Sequence, residues 1–200
     1  MKNILVVVPT YEMLGAFFRE VPICMTGFGS INTALYLTRA IQQSIHKPDL
    51  ILHFGWAASE EVQRDTIVFT RKAKPLDEHD APHPLEDGLF QDSAELLREN
   101  YPADAFTWAK VVRVEDSFTE APIKRTEPQQ APICFDSGES LAVARTCLAH
   151  QIPILSFQLI SPLVTTLTKD GQTTGASLNT KAYEFYRIYE NVASEDDVLG

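Results

Sequence analysis

Two carboxylates in this chain stand where a short apolar run gives way to a turn. Glu12 lies just past the run Ile4-Leu5-Val6-Val7-Val8, and Glu139 lies in Asp136-Ser137-Gly138-Glu139-Ser140, after the apolar residues 133–135. A carboxylate at the mouth of a buried strand can take a proton from water. One at a strand-to-helix junction can accept both vicinal hydroxyls of a ribose. The plainer readings are a solvated loop Glu for Glu12 and helix capping by Asp136 or Ser137. Gly27-Phe28-Gly29 also joins a strand candidate to a helix candidate, where backbone N–H groups would face an anion or a sugar hydroxyl; a tight turn explains it as well. With Asn32 at its sixth place it is no G-x-G-x-x-G fingerprint, and without Gly-Lys-Ser/Thr it is no P-loop. Phe118, in Asp116-Ser117-Phe118 after another strand candidate, suits stacking on a flat base or a place in the core.

Other chemistries find little support. His46, His53, His79, His83 and His150 have no metal-ligand spacing; Pro82 and Pro84 argue against a helix that would converge His79 and His83. Cys24, Cys134 and Cys147 are scattered in apolar settings without a CxxC, which predicts buried, reduced thiols. There is no G-x-S-x-G elbow. No metal and no cofactor is expected. Seventeen Lys and Arg against 27 Asp and Glu give a formal charge of -10, which disfavours nucleic acid and anionic membrane as partners. The N-terminal apolar run has strand length, too short for a signal or spanning segment, so a cytoplasmic protein is expected.

The elements that must position these residues follow from patterning. Two hundred residues, 44% of them hydrophobic, predict one domain over residues 1–200. Strands are expected at 4–8, 22–25, 50–54, 66–70, 109–114, 133–135 and 154–160. A short helix is expected at 13–19. A longer one at 31–45 has Ile31, Leu35, Ile41 and Ile45 at helical spacing and Ser30 as its cap. Further helices are expected at 92–100, 138–150 and 179–192. Residues 71–90, with Pro75, Pro82 and Pro84, read as a long loop, 165–177 as loose, and 194–197 as a frayed acidic tail. Alternating strands and helices predict an α/β sandwich with a mixed sheet and a small-molecule site at the strand ends.

Taken in order, the motifs resemble those of the nucleoside phosphorylase and nucleosidase superfamily, most closely the methylthioadenosine/S-adenosylhomocysteine nucleosidases and futalosine hydrolases. Thr26-Gly27-Phe28-Gly29-Ser30-Ile31-Asn32-Thr33-Ala34 is similar to the family's Gly-rich turn and helix. Residues 48–58, PDLILHFGWAA, resemble its P-D-x-I-I-x-x-G-x-A-G strand and turn. Asp65-Thr66-Ile67-Val68, Glu115-Asp116-Ser117-Phe118, Glu139 with its helix, and Ile160-Ser161 match later segments. The resemblance implies a three-layer α/β/α fold with a mixed central sheet, a nucleoside as ligand, a homodimer, and cleavage of an N-ribosyl bond. It also implies roles: Glu12 aligns the attacking water, Glu139 binds the ribose hydroxyls, Phe118 stacks on the base, and Gly27, Gly29, Ala57, Ala58 and Ser161 line the site. Several departures bear on function. Pro162 stands where the family has the Asp that protonates or hydrogen-bonds the leaving base, Ser137-Gly138 replace Glu-Met, Ala58 replaces the second glycine of the Ala-Gly turn, and Gln158 replaces an Arg. Asp136, Asp116 or His79 could replace the missing acid. The implied activity is hydrolysis; a nucleoside binder without turnover is the alternative, and a phosphate-using phosphorylase a third.

Overall fold

Five aliphatic residues in a row form β1 (Ile4–Val8), and burial on both faces explains why none is polar. The computed structural model describes residues 3–59, 61–74, 107–113, 133–136, 138–161 and 175–194. Among them are also β2 (Ile23–Met25), β3 (Leu50–Ala57), β4 (Ile67–Lys74), β5 (Thr107–Arg113), β6 (Ile133–Asp136) and β7 (Ile154–Ile160). They form one seven-stranded sheet in the order β2-β1-β3-β7-β4-β5-β6. The strands β2, β1, β3 and β7 are mutually parallel, β4 runs antiparallel to β7, and β5 and β6 follow β4 in parallel. The sheet is therefore mixed, as expected.

Alternation along the strands fills two cores. Leu5, Val7, Ile51 and Ile154 face α1 (Ser30–Gln43) and α2 (Glu139–His150), meeting Leu37, Ile41, Val143 and Cys147. On the other side Val6, Leu52, Phe54 and Phe157 pack with Phe185 and Ile188 of α3 (Gly175–Ser194). Helices on both faces make three layers. Rings interlock in the second core, with Phe54 and Phe185 centroids 4.4 Å apart. Cys134 of β6 packs with Ala57, Val68 and Ile160 although three strands separate β6 from β3 along the sheet. The sheet thus curls until its last strand reaches the ends of β3 and β7.

Several local expectations change. The segment expected as a helix at 13–19 is a pair of 3-10 turns, Tyr11–Met13 and Gly15–Phe18, with Leu14 between them and Gly15 at φ 58° opening the second. β4 runs through Lys74, so the first residues of the expected loop are strand. The last helix begins at Gly175, inside the segment read as loose. Ile31 and Leu35, expected at the packed face of α1, are 82% and 60% exposed, and Ile45 beyond its end is 94% exposed. Ile41, from the same expected set, is buried, together with Leu37 and Thr33. The expected helix at 92–100, most of the 71–90 loop, the tail from 195 on, and Phe118 lie outside the described residues.

Candidate functional site

Four parallel strands end at one edge of the sheet, at Val8, Met25, Ala57 and Ile160. Such an edge is where open α/β sheets take ligands. The chain leaving β2 is tied to the chain leaving β1: Thr26 N–H donates to Val8 O (2.9 Å) and Gly27 N–H to Pro9 O (3.1 Å). Gly27 (φ 70°) and Gly29 (φ 90°, ψ 152°) then turn the backbone into α1. The Gly29 conformation is essentially closed to residues with a Cβ.

Ser30 does not cap α1, as was expected of it; it is the first helical residue, and Gly29 is the cap. With no side chain there, the acceptor comes from 110 residues away: Gly29 N–H donates to Glu139 Oε1 at 2.6 Å. A carboxylate at a helix N-terminus also meets the positive end of its dipole. Glu139 is 5% exposed and opens α2. Its place is set by Asp136, whose Oδ1 accepts from Gly138 N–H (2.8 Å) and Oδ2 from Ser140 N–H (2.9 Å). Asp136 therefore caps α2. Burial, and then the neighbouring Glu139 charge, pushes its pKa up to about 6.

The ends of β3 and β7 supply the rest. Ser161 N–H donates to Ala57 O at 2.8 Å, and Ala57, Ala58 and Ser161 are all buried. Ser161 Oγ has no hydrogen-bond partner among the described residues. Through Cys134, two positions before Asp136, Ala57 is packed close to the start of α2. The structure thus joins Gly29 to Glu139 and Ala57 to Ser161, with Gly27 and Ala58 adjacent in the chain. Glu12 is exposed on the first 3-10 turn, three residues past Pro9, and no hydrogen bond ties it to Glu139 or the glycine turn. Phe118 and Pro162 lie outside the described residues, as do Asp116 and His79. Asp136, the third candidate acid, has both oxygens engaged by backbone N–H groups.

Sequence reasoning missed a buried polar cluster beside this site. His53 Nδ1 lies 2.9 Å from Ser156 Oγ, and Gln158 Nε2 donates to Ser140 Oγ at 2.8 Å and to Ser156 Oγ at 3.3 Å. Burial lowers the His53 pKa to about 3, so the ring is neutral. The available signal was Ser156 and Gln158 two apart in an otherwise apolar strand. Among the described residues no group of His, Cys, Asp and Glu is placed to hold a metal ion, and no helix is long and apolar enough to cross a membrane.

Solved structures cover almost the whole chain at low identity. The futalosine hydrolase of Helicobacter pylori, in a mutant form, superposes with a TM-score of 0.63 over 98% of this chain and 100% of its own, at 12% identity. The fold is the one that this hydrolase has. A mutant Helicobacter pylori methylthioadenosine nucleosidase with 5'-methylthioadenosine in its active site gives 0.63 over 96% of this chain and 99% of its own, at 13% identity. The Neisseria meningitidis 5'-methylthioadenosine/S-adenosylhomocysteine nucleosidase with methylthio-immucillin-A gives 0.62 over 95% and 100%, also at 13%. No protein-family model and no curated protein matches the chain. At such identity the nucleosidase fold is shared while the side chains have diverged.

Proposed function

We propose that this chain is a nucleosidase that hydrolyses the N-ribosyl bond of a nucleoside or 5'-modified nucleoside. The observation that carries this reading is the joint between Gly29 and Glu139, a buried carboxylate fixed at the glycine turn where four parallel strands end. In the reaction the C1'–N bond breaks with its electron pair leaving on the base, and a water oxygen bonds to C1'. Glu139 holds the ribose hydroxyls, Glu12 takes the proton of the incoming water, and Phe118 stacks on the base. Gly27, Ala57, Ala58 and Ser161 border the sugar. The base needs a proton or must leave as a stable anion, because Pro162 carries no acid and Asp136 is engaged in capping.

That last point favours a second reading, a nucleoside binder without turnover. Base release from methylthioadenosine, S-adenosylhomocysteine, futalosine, inosine and adenosine, with and without phosphate, separates them. Phosphate-independent release lost in Glu12→Ala and Glu139→Ala supports the hydrolase. A nucleoside that raises Tm with no base released supports the binder, and phosphate-dependent release would make the chain a phosphorylase.

The protein is further read as a cytoplasmic homodimer associating through α1. Met25, Phe28, Ile31, Leu35 and Tyr36 are all exposed, and residues 21–48 contain no Asp or Glu in a chain of charge -10. At roughly 200 Å² per fully exposed large side chain, their exposed fractions add to about 600 Å². A stable interface buries about 800 Å² per partner. A groove of about 370 Å³ between α1 and α2, lined by Ile31, Ala34, Thr38 and Leu141, adds a recess for a partner's side chain.

A further inference from the structure

Ser156 and Gln158 lie on the face of β7 that also carries Ile154, the face covered by α1 and α2. The Gln158 amide is fully buried and has two hydrogens on Nε2, one for Ser140 Oγ and one for Ser156 Oγ. Each hydroxyl, having accepted, must donate elsewhere. The Ser156 hydroxyl has neutral His53 Nδ1 at 2.9 Å, with Thr70 Oγ1 farther off at 3.4 Å. Ser140 is held to Asp136 through its backbone, its N–H donating to Asp136 Oδ2 at 2.9 Å, and its side chain favours the ionised form of that carboxyl.

The other end of the amide shows what this polarity costs. Gln158 Oε1 has no partner and lies against Gly55, its register neighbour on β3; a Cβ there would sit 2.3 Å from Oε1. Turning the amide over would point Oε1 at the two hydroxyls. Both would then donate to it, and two N–H groups would be left over Gly55 with no acceptor. One unpaired acceptor is the lesser loss, because a carbonyl oxygen tolerates being under-satisfied better than an N–H does.

We propose that Gln158 is a positioning residue of this site: by donating to the Ser140 hydroxyl it fixes the residue whose N–H meets Asp136, and so holds the placement of the Asp136–Glu139 pair at the start of α2. The ionisable groups around Asp136 among the described side chains are Glu139 on α2 and Cys134 on its own strand; in register the residue opposite it on β5 is Arg113. Among the described residues, those linked to it from the β3 and β7 side are neutral, His53 through Ser156 and Gln158. In the nucleosidase reading, on which its catalytic meaning rests, the same chain of bonds keeps Glu139 at Gly29.

The test needs no substrate. The Asp136 carboxyl is titrated by carbon NMR in the wild type, Gln158→Leu and Ser140→Ala, and amide hydrogen exchange is followed at Gly29. Both variants should raise the Asp136 midpoint by about one pH unit, a tenfold change in its acidity, and speed Gly29 exchange. Gly55→Ala, which pushes the amide off its seat, should act in the same direction. A midpoint unchanged in Gln158→Leu and Ser140→Ala overturns the proposal; if the leucine variant fails to fold, Ser140→Ala decides alone. A shifted midpoint in a protein that releases no base would leave this inference standing and remove the hydrolase reading.

Discussion

Gly29 is the residue on which the site turns. Its φ of 90° and ψ of 152° exclude a Cβ on conformational grounds, although open space surrounds the position. Gly29→Ala is expected to cost about 1–3 kcal/mol of unfolding free energy, measured in urea, and in the proposed nucleosidase reading to weaken nucleoside binding by misdirecting the N–H that meets Glu139. Removing the carboxylate should cost a similar amount, since hydrogen bonds to charged groups contribute about 1.5–3 kcal/mol; Glu139→Ala checks this in the same titration. Asp136 gives a pH signature. Its folded pKa, near 6, lies above the ordinary 3.8, so the unfolded chain releases this proton first as pH rises. Its contribution to stability is full below about pH 4 and is lost as pH rises through 6. The Tm difference between wild type and Asp136→Asn should therefore move against the wild type over that window.

Helix α1 shows where sequence patterning succeeds and where it stops. Its existence was legible from spacing, but its orientation was not, because apolar residues occupy two stripes. Leu37 and Ile41 pack on the sheet, while Ile31 and Leu35 face outward. Leu37→Ala should cost about 2–5 kcal/mol as a cavity-forming change, and Leu35→Ala less than about 0.5 kcal/mol in the monomer. If the outer stripe is the dimer seam, Ile31→Glu with Leu35→Glu shifts sedimentation to the monomer and leaves the fold intact. At the site, Gly27-Phe28-Gly29 and Glu139 could be singled out from their neighbours in the chain. That Glu139 meets Gly29 could not, since the contact spans 110 residues. The Gln158 cluster stayed hidden for the same reason: its meaning comes from Ser140 and Gly55, on other elements.

The whole molecule keeps its thiols out of reach. Cys24 and Cys147 lie in the core beneath α1 and α2, and Cys134 lies under the curl of the sheet. Burial raises all three pKa values, to about 11 for Cys24 and Cys134. A thiol reagent at pH 8 should label none of them in the native protein and all three in urea, so labelling rate reports opening of the fold.

The strand order has a consequence for how the chain is made. β7 sits between β3 and β4, yet it is synthesised about a hundred residues after β3. Until residue 160 has left the ribosome, β3 and β4 each present an unpaired edge, and the aromatic faces of Phe54 and Phe69 lack Phe157. The nascent chain therefore carries the open edge of β3 for about a hundred residues of synthesis, joined late by that of the β4-β5-β6 half, a species prone to pairing with other chains. Productive folding becomes a late, nearly all-or-none insertion of one strand, and sequestration of the growing chain by a holdase should matter more to its yield than the stability of the finished protein.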